Sequence, residues 1–143
     1  METIIGKEFP QKVIPRIDEA KKTIDIIVFD WRWYPQELGA PVQLFNQAIV
    51  RAVRRGVSAR IIANSQDIIT TLKQVGCQVK KLEFKNLVHC KLMIIDSEIF
   101  IIGSHNYTQS AFQMNLELSV LLESPDNKES ILNFFNNLWI NHA

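Results

Sequence analysis

The sequence predicts an α/β fold, a single-domain α/β/α sandwich built on a mixed central sheet. Three observations carry that prediction. Segments with helical spacing alternate with short apolar runs through the first half of the chain, the pattern of strands paired in parallel through helical crossovers. Two strand-like runs in the second half, Val88 to Ile95 and Glu98 to Ile102, are separated only by Asp96-Ser97, which predicts an antiparallel hairpin. Several runs are apolar on both faces, so helices are expected to cover both sides of the sheet.

The elements follow in order. From Pro10 to Thr23, apolar residues fall at Val13, Ile14, Ile17 and Ala20, which is helical spacing. Ile24 to Phe29 is an apolar run broken only by Asp25 and reads as a buried strand. A break at Asp30-Trp31-Arg32-Trp33-Tyr34-Pro35 leads to a helix from about Pro41 to Arg55, which Gly56 ends. Val57 to Ala63 is the next strand, Gln66 to Val75 a helix closed by Gly76, and Cys77 to Leu82 a third strand. Beyond the hairpin, Leu116 to Leu122 reads as a strand and Asp126 to Trp139 as a closing helix, with Ser124 or Asp126 as its cap.

A chain of 143 residues fits one domain, 1–143, and no repeat, low-complexity tract or long linker divides it. The formal charge of +1 makes any polyanion-binding surface a local one. Cys77 and Cys90 do not make a disulfide framework and fit a reducing compartment. No basic-then-apolar leader opens the chain, and no run reaches the ~18 apolar residues of a membrane span. The expectation is a cytoplasmic protein without a membrane anchor.

The hairpin holds the chemistry. Alternation puts His89 and Lys91 on one face of their strand and Cys90 and Leu92 on the other. With Asp96-Ser97 as a two-residue loop, Ile95 pairs with Glu98 and His89 stands opposite Ser104, on the same face. Asn106 then lies opposite Leu87 unless Gly103 bends the chain, and Asn115 and Glu117 enter the last strand at the same two-residue spacing. A neutral imidazole is a good nucleophile at phosphorus. Lysine, Ser and Asn donors stabilise charge on the equatorial oxygens, and a carboxylate such as Glu117 within hydrogen-bond reach of His89 fixes its tautomer. A single histidine cannot both attack phosphorus and protonate the leaving group in one step, so a second must be supplied.

His89-x-Lys91, Asp96 after four residues, then Gly103-Ser104-x-Asn106 after six more, resembles the H-x-K-x4-D-x6-G-S-x-N motif of the phospholipase D superfamily. Every fixed position matches, and Asn115-x-Glu117 resembles the Asn-x-Glu that follows it in many members. The order of helices and strands resembles the small single-motif branch typified by bacterial endonucleases. The resemblance implies a phospholipase D-like fold, no cofactor, and two motifs meeting at one site, hence a homodimer in which His89 and Lys91 are contributed twice. One histidine would form a phosphohistidine and the other donate a proton. Ser104, Asn106 and Glu117 match supporting catalytic positions. Asp96, Gly103 and Asn115 match structural ones, since Asp96 lies some 20 Å from His89 at about 3.3 Å per residue.

Around this core, Lys80, Lys81 and Lys85 are candidates for contacting a polyanion. Trp31 and Arg32, with Trp33 and Tyr34, either stack on bases and hold a phosphate or pack against a dimer interface or a helix. Arg51, Arg54, Arg55 and Arg60 read as solvated, and His105 as a residue facing away from the site. A metal site from His89, Cys90 and Asp96 fails on geometry. The leading function is a metal-independent nuclease on DNA or RNA. The alternatives are a phospholipase using the same chemistry, or an inactive dimeric nucleic-acid-binding module. Nothing in the sequence decides whether the chain serves a larger restriction or defence system.

Overall fold

The computed structural model describes residues 1–81 and 88–141. The chain runs β1 (Glu2–Ile5), α1 (Glu8–Asp18), β2 (Thr23–Ile27), α2 (Pro41–Arg54), β3 (Ser58–Ala63), α3 (Gln66–Val75) and β4 (Gln78–Lys81). It continues with β5 (Lys91–Ile95), β6 (Ile99–Gly103), α4 (Gln109–Gln113), β7 (Leu118–Glu123) and α5 (Lys128–Asn141). The seven strands form one sheet in the order β1-β7-β6-β5-β2-β3-β4. β2, β3 and β4 are parallel, and the remaining pairings are antiparallel. This is the mixed sheet that alternation followed by a hairpin predicts.

Period-two alternation divides the core between two faces. Ile24, Ile26, Ala59, Ile61, Met93, Ile95 and Ile101 point to the face covered by α1 to α4. Ile27, Ile62, Leu92, Ile94 and Phe100 meet Phe135, Leu138 and Trp139 of α5 on the other. Pro41 opens α2, where a missing N–H costs nothing. Gly76 ends α3 at φ 112°, in the left-handed region that glycine enters freely.

Two short elements carry no periodic signal and were not expected. β1 adds an edge strand to β7 through four residues only, and α4 is a single capped turn, with Thr108 accepting from Ala111 N–H. Of the arginines read as solvated, Arg60 ion-pairs with Asp25 across the parallel β2–β3 register (2.8 Å) and lies over the Phe135 ring. That pairing explains the one charge inside the apolar β2 run, because a buried carboxylate needs a partner. Arg55 donates to the carbonyls of Ile17 and Ala20, and Arg51 pairs with Asp18.

The hairpin differs from expectation by one residue. Ile95 pairs with Ile99, not Glu98, and the ladder ends at Lys91 opposite Gly103. Asp96 and Ser97 both have positive φ, and Glu98 N–H bonds the Ile95 carbonyl, as in a two-residue turn. Glu98 is nevertheless drawn out of the ladder: its carbonyl accepts from Ser124 N–H, and its carboxylate is held by the Ser124 hydroxyl and Lys128. One added loop residue moves every pair on. The predicted His89–Ser104 cross-strand pair is therefore absent, and Val88 to Cys90 precede the strand instead of forming its start.

Candidate active site

The site is assembled where β5 begins and β6 ends. Lys91, the first residue of β5, points to the same face as Met93 and is buried, while His89 just before it is exposed. The Lys91 Nζ lies 2.9 Å from His89 Nδ1 and 3.2 Å from Nε2. An ammonium has only donors, so the imidazole nitrogen facing it presents a lone pair. Phe29 supports both residues, its ring centroid 5.0 Å from that of His89 and 5.8 Å from Lys91 Nζ. Burial lowers the Lys91 pKa, and the charge of Glu117 opposes the shift.

Gly103 faces Lys91 on one side and Ser119 of β7 on the other. β7 passes so close that a Cβ at 103 would stand 2.4 Å from Ser119 Cα. Close approach, not a bend, is what requires glycine here. It brings Ser104 against Glu117: the hydroxyl donates to Oε1 (2.5 Å) and accepts from Leu118 N–H (3.0 Å), and Asn115 Nδ2 donates to Oε2 (3.1 Å). Glu117 is thus held by Ser104 and Asn115, and the predicted hydrogen bond to His89 is not present among the described residues. Asn106 accepts from Asp30 N–H (3.1 Å), because Tyr107 pairs with Trp31 and brings the two segments together.

Asp96 sits at the opposite end of the hairpin. Its carboxylate accepts the backbone N–H groups of Lys21, Lys22 and Thr23, at 2.7–3.0 Å for the shortest contact to each, and so ties the loop to the start of β2. Burial pushes its pKa up, but the three donors outweigh it and hold the carboxyl below its ordinary value. His105 is buried, stacked on Phe9 at 4.6 Å, with Nδ1 2.7 Å from Ser119 Oγ and Nε2 2.9 Å from the Gly6 carbonyl.

The expected substrate contacts divide. Trp31 is a core residue, 3% exposed, with its indole N–H on Asn46 (2.6 Å), so it has no free face for a base. Lys80 is also engaged, donating to the Trp139 carbonyl at 3.0 Å and lying over that indole ring. Arg32 is exposed and pairs with Asp30, Lys81 is exposed, and Lys85 and Leu87 lie outside the described residues. Among the described residues, no group of three or more His, Cys, Asp or Glu side chains is placed to hold a metal. Phe29 and Asp30 were missed as site residues. Their position at the carboxyl end of β2, where α/β sheets bind ligands, was the available signal.

A mixed sheet with a histidine–lysine pair at the start of its central hairpin, and a hydroxyl–carboxylate pair across the neighbouring strands, is the arrangement of a phospholipase D-type domain. The family model described as "Cardiolipin synthase, PLD-like domain" matches residues 13–139, and the chain belongs to that family. It is similar to the mitochondrial cardiolipin hydrolase of Homo sapiens, 28% identical over 134 residues, covering 94% of this chain and 52% of that protein. The chain therefore spans about half the length of that relative. Its fold is similar to NucT from Helicobacter pylori (TM-score 0.81, 18% identity, 99% and 96% of the two chains). It is likewise similar to Nuc from Salmonella typhimurium, a phospholipase D family member (TM-score 0.80, 21% identity, the same coverage).

Proposed function

We propose that this chain hydrolyses phosphodiester bonds of nucleic acid, DNA or RNA, without a metal, through His89 in a site shared by two copies. The observation that carries the reading is the exposed His89 imidazole with the Lys91 ammonium on its lone pair, beside a fixed Ser104–Glu117–Asn115 cluster. An incoming phosphate oxygen competes for that ammonium, which frees the lone pair for attack as the charge that Lys91 neutralises arrives. The histidine nitrogen bonds to phosphorus, the P–O bond to the leaving group breaks, and the leaving oxygen takes a proton from a second imidazole. Water then hydrolyses the phosphohistidine with that second imidazole as base.

Counting protons supports the dimer. His105, the other histidine among the described residues, is committed to Ser119 and Gly6 within the core, and we take the second imidazole to be His89 of a two-fold-related copy. The surface beside Glu117 suits such a partner. Ile5, Met114, Leu116 and Leu118 are all exposed there, an unusual concentration of large apolar side chains. A phospholipid diester is the second reading, favoured by the name of the human relative.

The deciding experiment incubates the purified chain with DNA, RNA and cardiolipin vesicles, each in excess EDTA. Cleavage of an oligonucleotide but not of the lipid is expected. Activity lost in EDTA and restored by magnesium would overturn the histidine mechanism, and lipid cleavage alone would overturn the substrate. A purified mixed dimer of wild type with His89→Ala should lose at least the ~10²–10⁴-fold of a missing general acid or base. Half of wild-type activity per dimer would show independent sites instead.

A further inference from the structure

Between the segment after β2 and the start of α3 lies an open cleft of about 310 Å³, at the small end of the range that ligand sites occupy. Trp33 and Tyr34 line it from the first segment, Ser65, Asp67 and Thr71 from the second, and Asp30 and Arg32 complete it. The aromatic wall is built in advance. Two buried amides of α2 hold the backbone behind it: Gln43 Oε1 accepts from Tyr34 N–H (2.8 Å), and Asn46 Nδ2 donates to the Arg32 carbonyl (3.0 Å). Asn46 also anchors Trp31, whose ring lies 6.4 Å from that of Trp33.

The cleft adjoins the catalytic residues through Asp30. The residue before it, Phe29, packs on His89, and the Asp30 N–H donates to Asn106 Oδ1. An occupant would therefore be a neighbour of the phosphate under attack. The charge balance says which part of a substrate that is. Asp30 and Asp67 stand against the single guanidinium of Arg32, which is already bonded to Asp30 at 2.9 Å. A phosphate would meet two carboxylates there. A base would meet two aromatic side chains on which it can stack irrespective of sequence, with the Asp67 carboxylate and the Ser65 and Thr71 hydroxyls as acceptors for its amino groups.

We propose that this cleft is a subsite for one unstacked base flanking the scissile phosphate. The proposal rests on the nucleic-acid reading above and goes further, because it selects a strand state: a base inside a duplex must first leave its stack to enter. Single-stranded nucleic acid is then the preferred substrate.

Two variants test the cleft from opposite walls. Tyr34→Ala removes an aromatic surface, and Thr71→Trp fills the space from α3 without touching the loop. Each is placed in a His89→Ala background, checked by thermal melting, and titrated with a labelled single-stranded oligonucleotide and its duplex by fluorescence anisotropy. The single strand should bind His89→Ala more tightly than the duplex, and each cleft variant should weaken it roughly 5- to 100-fold, the loss of one stacked base. Duplex affinity should stay unchanged. If Tyr34→Ala does not fold, Thr71→Trp decides alone. Unchanged single-strand affinity, with wild type cleaving oligonucleotides, would overturn the subsite and leave the nuclease reading standing. Failure of wild type to cleave or bind any oligonucleotide would remove that reading and the subsite together.

Discussion

Replacing Gly103 by alanine tests how the site is held together. The added Cβ would stand 2.3 Å from Ser119 Oγ, 2.4 Å from Ser119 Cα and 2.5 Å from the Leu118 carbonyl oxygen. Carbon contacts are comfortable at roughly 3.5–4.0 Å, so β6 and β7 must part by about 1 Å. The Ser104 N–H to Leu118 carbonyl bond, now 3.0 Å, would then exceed the ~3.2 Å upper range of a good hydrogen bond. Overpacking costs about 1–3 kcal/mol, and the lost bond adds about 1 kcal/mol, which gives roughly 2–4 kcal/mol. At about 2–4 °C per kcal/mol for a chain near this size, Tm should fall by roughly 5–15 °C. Turnover should fall too, because Ser104 and Glu117 meet across the same gap. The assay is a thermal melt with parallel phosphodiester turnover. Adding Ser119→Gly to the variant removes Oγ but neither backbone atom, so it should restore little. Full rescue by Ser119→Gly, or a Gly103→Ala chain as stable as wild type, would refute the close-approach account.

Asp96→Asn should destabilise the fold without removing a group that touches substrate, by roughly 2–3 kcal/mol at pH 7, the scale of hydrogen bonds to a charged group. Because the folded carboxyl lies below its unfolded value of about 3.9, its contribution is present above that pH and is lost as pH falls through the folded value. Urea unfolding from pH 7 to pH 3 should show the wild-type advantage shrinking at the acid end, and a constant gap would refute the assignment. Lys91→Met should abolish turnover yet raise Tm at pH 7, since burial makes the charged lysine costly in the folded chain. That advantage should fade as pH rises through the lysine's depressed pKa towards ~10.4, its unfolded value. A less stable Lys91→Met chain at pH 7 would show that Lys91 contributes to stability after all.

The sequence by itself determined the elements whose own residues encode them. α3 begins and ends where predicted because Ser65 caps it and Gly76 leaves it in the left-handed conformation. The apolar runs of β2, β3 and β5 announce strands buried on both faces. The motif from His89 to Asn106 marked the end of the hairpin where the fold gathers His89, Lys91 and Ser104, because Lys91 stands opposite Gly103 there.

Tertiary structure alone decided relations between distant segments. The hairpin register turned on Glu98 being drawn to Ser124 and Lys128, 26 and 30 residues further on. No local rule contains that pull. Whether Glu117 bonded His89 or Ser104 depended on how closely β7 could approach Gly103, which is a packing distance. The same holds for Trp31, which the chain left open between stacking on a base and packing, and for Lys80, a candidate polyanion contact: the fold commits them to Asn46 and Trp139. A side chain's chemistry is written in its residue type. Whether that chemistry is free to meet a substrate is set by the neighbours that packing supplies.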